Sequence, residues 1–194
     1  MKNITVFCGS NSGFRTEYAE AARILARLFA GRNIRLVYGG GNVGLMGIIA
    51  DELMKAGGEV IGIIPEALDK KEVGHRAITE LRVVGSMHER KAQMAELADG
   101  FIAMPGGIGT FEDFFEILTW AQLGFHKKPC AILNISGYYD GLLTLCDTAV
   151  QEGFLRPAHR RLILEDSNPE SLLEKMKNFS PLPLEKWIDK EEEL

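Results

Sequence analysis

Short apolar runs rich in Val and Ile recur along the chain, separated by longer segments whose apolar residues return every three or four positions. The runs Ile4–Cys8, Ile34–Tyr38, Glu59–Ile64, Glu80–Val84, Gly100–Met104 and Pro129–Asn134 predict buried strands, and Arg161–Leu164 gives a fainter seventh. The intervening periods predict helices over Thr16–Ala30, Gly44–Ala56, Met87–Ala98, Phe111–Gln122, Tyr139–Glu152 and Pro169–Lys177. Strands that alternate with helices make βαβ units, whose crossovers are right-handed. The expected fold is therefore α/β: a Rossmann-like, doubly wound parallel sheet with helices on both faces. No internal repeat or linker divides the chain. Residues 1–180 are expected to form a single domain, and 181–194 an acidic tail whose Glu-rich end, Lys186–Leu194, reads as a last helical turn or a frayed terminus.

Composition agrees with a globular domain. The 194 residues are 46% hydrophobic and 25% charged, enough for a buried core. A net charge of −5 argues against non-specific nucleic-acid binding, which depends on neutralising phosphates with basic residues. It leaves room for a small anion held by a few local donors. Cys8, Cys130 and Cys146 match neither a disulfide framework nor a zinc pattern, and they read as core. His75, His88, His126 and His159 lack metal-binding spacing, so neither metal nor cofactor is expected. The N-terminus carries no signal-peptide anatomy, and no apolar stretch approaches the roughly 20 residues of a membrane span. The expectation is a soluble, cytoplasmic protein.

Ligands of doubly wound sheets bind beyond the carboxyl ends of the strands. Nearly all the unusual residues fall in those loops. After Met104 comes Pro105-Gly106-Gly107-Ile108-Gly109-Thr110, leading into the helix that starts at Phe111 with Thr110 as expected N-cap. Glycine at this density costs backbone entropy unless bare backbone is needed. A glycine loop that ends at a helix N-terminus offers free N–H groups and a positive dipole end, suited to phosphate, although a plain tight turn has the same composition. Glu112, Asp113 and Glu116 occupy the first turns of that helix. Glu112, Glu116 and Thr119 share one stripe, and Phe111, Phe114, Phe115, Leu118 and Ala121 face the core. Acids there also complement the dipole, and Thr110-x-x-Asp113 is a capping-box pattern, so a structural role is equally open.

Ser86-Met87-His88-Glu89-Arg90-Lys91 reads as another helix start, with Ser86 as N-cap and Glu89 closing a capping box. Arg90 and Lys91 then carry positive charge where the dipole opposes it, and Arg90 lies near the packed side. A buried carboxylate or anion would account for them, and a guanidinium suits phosphate geometry. Two further loops share this edge. Gly39-Gly40-Gly41-Asn42-Val43-Gly44 contains a weak dinucleotide pattern, with Glu66 as a possible ribose partner, and Cys8-Gly9-Ser10-Asn11-Ser12-Gly13 suits hydrogen bonding or a simple turn. No Gly-x-Ser-x-Gly elbow is present.

The segments Ser86-Met87-His88-Glu89-Arg90-Lys91-Ala92, Pro105 through Glu112, and Thr119-Trp120-Ala121-Gln122-Leu123-Gly124 together resemble the LOG (Lonely Guy) family. Its members are cytokinin riboside 5′-monophosphate phosphoribohydrolases that often carry a lysine decarboxylase label. The likeness extends from Phe7-Cys8-Gly9-Ser10 and Tyr38-Gly39-Gly40-Gly41 to the Asn134–Tyr139 segment. It implies a Rossmann-like nucleotide-binding hydrolase, usually a homodimer, that splits a purine or N6-modified adenine nucleoside 5′-monophosphate into free base and ribose 5-phosphate. By the resemblance, Arg90 and Asp113 are catalytic and Glu112 belongs to the nucleotide-binding stretch; the chemistry of an oxocarbenium-like state makes Glu112 and Asp113 the expected catalytic acidic pair, with Arg90 as their partner. Glu72, Lys91, Gly106, Gly107, Ile108, Gly109, Thr110, Phe111 and Thr119 bind substrate. Where the family has two glutamates, this chain has Glu112 and the shorter Asp113. Asp113 must then sit deeper, act through water, or leave Glu112 as the main catalyst. The alternatives are AMP nucleosidase activity on unmodified AMP and a non-catalytic nucleotide or molybdopterin-cofactor carrier. Decarboxylation finds no support, since pyridoxal-phosphate catalysis needs a lysine Schiff base with an acidic ring-nitrogen partner.

Overall fold

The computed structural model describes residues 1–70 and 74–181; the expected tail beyond residue 181 lies outside them. Among the described residues seven strands form one sheet, each pairing between them parallel: β1 (Asn3–Phe7), β2 (Arg35–Tyr38), β3 (Val60–Pro65), β4 (Glu80–Val84), β5 (Gly100–Ala103), β6 (Cys130–Leu133) and β7 (Ile163–Asp166). Their order across the sheet is β4-β3-β2-β1-β5-β6-β7. The inner strands β3, β5 and β6 are buried at every position, as a parallel sheet covered on both faces requires. The edge strand β4, with its Glu80 and Arg82, is more open.

The helices divide between the faces. α1 (Thr16–Gly31), α2 (Gly44–Lys55) and α8 (Pro169–Lys177) close one core around Leu25, Phe29, Ile49, Leu53 and Leu172. α4 (Met87–Leu97), α5 (Ile108–Gln122) and α6 (Asp140–Gln151) close the other around Met94, Phe101, Phe114, Ile132 and Leu143. The doubly wound fold expected from the hydropathic pattern is thus present. Cys8, Cys130 and Cys146 are free and buried, and burial pushes the Cys8 and Cys130 thiols up to about 12, in keeping with core roles. No helix among the described residues is long and apolar enough to cross a membrane.

Three short elements escaped the periodic reading: α3 (Glu66–Asp69), α7 (Pro157–Arg160) and a 3-10 turn at Ile135–Gly137. Each is too short to show a helical period. The seventh strand also lies two residues later than expected, because Leu162 ends the α7 turn by donating its N–H to His159 O. What matters for the site is the strand order. The chain winds outward from β1 to β4, then crosses back to β5 beside β1, so a crevice opens where their loops part.

Candidate functional site

At this switch point, Gly9 N donates to Pro105 O (3.0 Å) and Gly9 O accepts from Leu45 N (3.0 Å), joining the loops after β1 and β5 to the start of α2. A cavity of about 270 Å³ opens above them, lined by the Gly9–Gly13 loop, Tyr18, Leu45, Gly106, Gly107 and Tyr138. A larger hollow of about 570 Å³ lies at the opposite, amino edge of the sheet beside Lys2, Arg32 and Glu59. Its arginines are already committed, Arg32 to Glu170 and Glu174 and Arg35 to Glu59, and the Gly57-Gly58 turn that lines it follows the C-terminus of α2, so it offers no helix N-terminus. The smaller cavity is the one where donors converge.

α5 begins at Ile108 with Gly107 as its cap, three residues earlier than the sequence suggested. Thr110 is therefore not the N-cap but a buried residue of the first turn, and Thr110-x-x-Asp113 is not a capping box. The physical reason is packing: a Cβ on Gly106 would collide with Thr110 Oγ1, so the threonine folds beneath the loop instead of capping it. No side chain caps this helix, which leaves its first N–H groups without helical partners. A Cβ on Gly107 or Gly109 would meet nothing within 4 Å, so both face open space. Bare backbone, unpaired donors and a positive dipole end meet here, an arrangement suited to an anion.

α4 begins as expected, and its first turns pack against α5 outside the lining of that cavity. Ser86 Oγ accepts from Glu89 N at 3.1 Å, and Glu89 reaches back to Gly85 N at 2.8 Å, a capping box displaced by one residue. The cap places Arg90 and Lys91 on the inner side, both buried. Arg90 Nη1 lies 3.3 and 3.4 Å from the two oxygens of Asp113, which is only 7% exposed. These contacts are long for a charge-assisted pair. Burial raises the Asp113 carboxyl pKa above its ordinary 3.8, more than Arg90 lowers it. Lys91 Nζ lies 2.6 Å from Glu112 Oε1 and 2.8 Å from Glu116 Oε2. Burial alone would lower the lysine pKa, but hydrogen bonds and charge from the two glutamates outweigh it and hold the ammonium above its ordinary range.

The stripe of Glu112 and Glu116 is thus real, and Lys91 is what it faces. Phe111 is half-buried edge-on to Tyr139 at 6.1 Å, and Ile108 is exposed at the helix start. Thr119, also exposed, returns its hydroxyl to Phe115 O (2.7 Å). Glu66 stands apart, exposed and paired with Lys70 at 2.8 Å. Glu72 lies outside the described residues.

Two features lie in segments that the sequence singles out, but their partners are visible only in the fold. Gly39 is close enough to the guanidinium that a Cβ there would lie 2.6 Å from Arg90 Nη2, so the loop after β2 is a wall of the arginine's seat. Tyr138, which also lines the cavity, donates its hydroxyl to Gly106 O (2.5 Å). A run of three glycines and a Tyr-Tyr pair were the available hints, but neither names its partner.

The family model described as "Possible lysine decarboxylase" matches residues 46–176. The chain is 49% identical to the cytokinin riboside 5′-monophosphate phosphoribohydrolase LOG2 of Arabidopsis thaliana over 180 residues, 93% of this chain and 84% of that protein. It is 48% identical to LOG7 of the same plant, again over 180 residues and 93% of this chain, covering 83% of the relative. Among solved structures, it resembles the molybdenum cofactor binding protein of Rippkaea orientalis with a TM-score of 0.68 at 24% identity, over 91% of this chain and 96% of that one. The molybdenum cofactor carrier protein of Chlamydomonas reinhardtii matches equally, at TM-score 0.68, 19% identity and the same coverage. These structural likenesses establish the shared fold.

Proposed function

The chain belongs to the LOG family of cytokinin riboside 5′-monophosphate phosphoribohydrolases, and from that premise we propose that it is itself such an N-glycosyl hydrolase. Its substrates are purine nucleoside 5′-monophosphates with adenine modified at N6, and its products are the free base and ribose 5-phosphate. The observation that carries this reading is the buried Arg90–Asp113 pair beside the uncapped start of α5.

The phosphate sits on the N–H groups of the loop from Gly106 to Thr110. The ribose is thereby anchored within about one helical turn of Glu112 and Asp113. As the bond from C1′ to the base lengthens, the sugar becomes oxocarbenium-like, and an adjacent carboxylate stabilises that charge. Asp113 fills this role in its ionised form and takes a proton from the attacking water. The water oxygen bonds to C1′, the glycosidic electron pair leaves with the base, and the proton taken by Asp113 passes to the base nitrogen, which restores the carboxylate. Arg90 orients Asp113, while Glu112, with Lys91 beside it, completes the acidic wall. Phe111 and Thr119 border it, and Glu72 belongs to the same reading as a ligand contact.

Decarboxylation through a lysine Schiff base fits this cluster poorly. Lys91 is held as an ammonium by two carboxylates, whereas an imine-forming lysine needs its pKa depressed. A carrier needs the phosphate loop but has no use for a buried carboxylate–guanidinium pair held at long range. The reading includes a homodimer in the cytoplasm. Met87 and Ile108, exposed at the starts of α4 and α5, give apolar surface beside the site for a second copy to cover.

The test is release of free base from AMP, GMP and N6-isopentenyl-AMP, followed chromatographically. Turnover is expected with the N6-modified nucleotide, and Arg90→Ala should lower it about a thousandfold with folding retained. AMP turned over in preference would make the protein an AMP nucleosidase. Tight nucleotide binding without base release would favour the carrier.

A further inference from the structure

The Tyr138 wall of the cavity follows a strained turn. Ser136 has φ +52°, left-handed for a residue with a side chain, and Gly137 follows at φ +71°. The turn is held on both sides: Asn134 Oδ1 accepts from Tyr139 N (2.7 Å), and Asn134 Nδ2 donates to Asp140 Oδ1 (2.7 Å). Such conformations cost free energy and persist where surrounding contacts fix them. Here the outcome is two consecutive tyrosines aimed at neighbouring carbonyls. Tyr139, fully buried, donates to Met104 O at 2.7 Å, and Tyr138, at the rim, donates to Gly106 O at 2.5 Å. Pro105 is thus bracketed by two phenol hydrogen bonds.

The second bond fixes more than a loop position. In a trans peptide the C=O and the next N–H point in opposite directions. Holding Gly106 O toward Tyr138 therefore turns Gly107 N–H away from it. Gly106 and Gly107 have no side chains to resist rotation of this peptide unit. Tyr138 itself is stabilised edge-on by Tyr18 at 5.8 Å and by Tyr139 at 5.0 Å.

We propose that Tyr138 is a positioning residue for the substrate phosphate, acting through its hydrogen bond to Gly106 O to hold the glycine loop with its N–H groups open to the anion. This deepens the hydrolase reading and rests on it for the identity of the anion. Tyr138→Phe keeps the ring among Tyr18 and Tyr139 and deletes only the hydroxyl, so it isolates the hydrogen bond.

The experiment measures binding of ribose 5-phosphate by calorimetry and base release from N6-isopentenyl-AMP for both proteins, with thermal denaturation as the check on folding. Tyr138→Phe is expected to weaken ribose 5-phosphate binding about tenfold and to raise KM similarly, with kcat changed less than about twofold, as loss of binding common to ground and transition states predicts. Unchanged ribose 5-phosphate affinity overturns the inference, as does a fall in kcat as large as the rise in KM, or failure of the wild-type protein to bind ribose 5-phosphate. Absence of base release by the wild type would remove the hydrolase reading instead. The calorimetric comparison would still decide the role of Tyr138.

Discussion

Arg90 and Lys91 are consecutive residues of one helix, both buried, and α5 supplies carboxylates to each. The two pairings differ in kind. Lys91 makes two close contacts, to Glu112 and Glu116, and its pKa rises. Arg90 makes only long contacts to Asp113, and the carboxyl pKa rises too. A cation whose folded pKa is raised contributes stability that is full below the unfolded value of 10.5 and lost only as pH climbs through the higher folded one. For Asp113 the same sign means the opposite at neutrality. The contribution of its raised pKa is full below about 3.8 and lost as pH rises through the folded value, so the ionised group is a cost to the fold. One pair stabilises the contact between α4 and α5. The other maintains a buried, unfavourably placed carboxylate, which is what catalytic sites do.

The sharpest way to break this contrast is Asp113→Asn. The side chain keeps its shape and a polar oxygen toward Arg90 but cannot be ionised. Base release is expected to fall about a hundredfold to a thousandfold. The pH profile carries the diagnostic sign: in the wild type, rate should fall as pH drops through the raised Asp113 pKa, at a pH above the ordinary aspartate value of 3.8. In Asp113→Asn that acid limb should be absent from the residual activity. An unaltered limb would assign it to Glu112 instead.

Much of this arrangement can be read from the chain. The parallel sheet follows from apolar runs that need burial on both faces. The site edge follows from the strand-to-helix loops, where glycine and hydrogen-bonding residues gather. Arg90 stands out locally, because a cation early in a helix and near its packed side needs a partner, and Asp113 is that partner. Thr110 was misplaced because Gly107 can end the loop without a side-chain cap, and a threonine three residues inside a helix looks from the sequence like one at its start. The partners of Tyr138 and Gly39 are not legible, for another reason. A tyrosine beside a tyrosine reads as core, and a glycine's value lies in whatever approaches it. Both roles arise only when β6 and β2 carry their loops to the edge that α4 and α5 share.

Gly39 offers a smaller perturbation of the same pair. Its φ is not left-handed, so alanine is allowed by the backbone and the effect is steric: a methyl 2.6 Å from Arg90 Nη2. The guanidinium must shift while Asp113 stays in place. Displacements of this order far from the reacting atoms are costly, so Gly39→Ala is expected to lower kcat about tenfold to a hundredfold. Thermal denaturation should change little, since the arginine end can yield. If kcat is preserved, the distance between Arg90 and Asp113 is not what the reaction depends on.

The least effect is expected on the other side of the comparison, from Glu116→Gln. Lys91 keeps Glu112 at 2.6 Å and loses one of two carboxylates, a change that partly exposed ion pairs register within about 1 kcal/mol of stability. Turnover should stay within about threefold of wild type, because Glu116 pairs with Lys91 and has no part in the proposed chemistry. The two clusters are adjacent, however, and Lys91 lowers the Asp113 pKa while Glu112 raises it, so their independence is itself testable. In the double variant Asp113→Asn with Glu116→Gln, the rate effect and the melting shift should each equal the sum, in free energy, of those of the two single variants. A coupling beyond about 0.5 kcal/mol in either quantity would mean that the five charges act as one unit, and that Lys91 tunes the acid instead of only bracing the helix beside it.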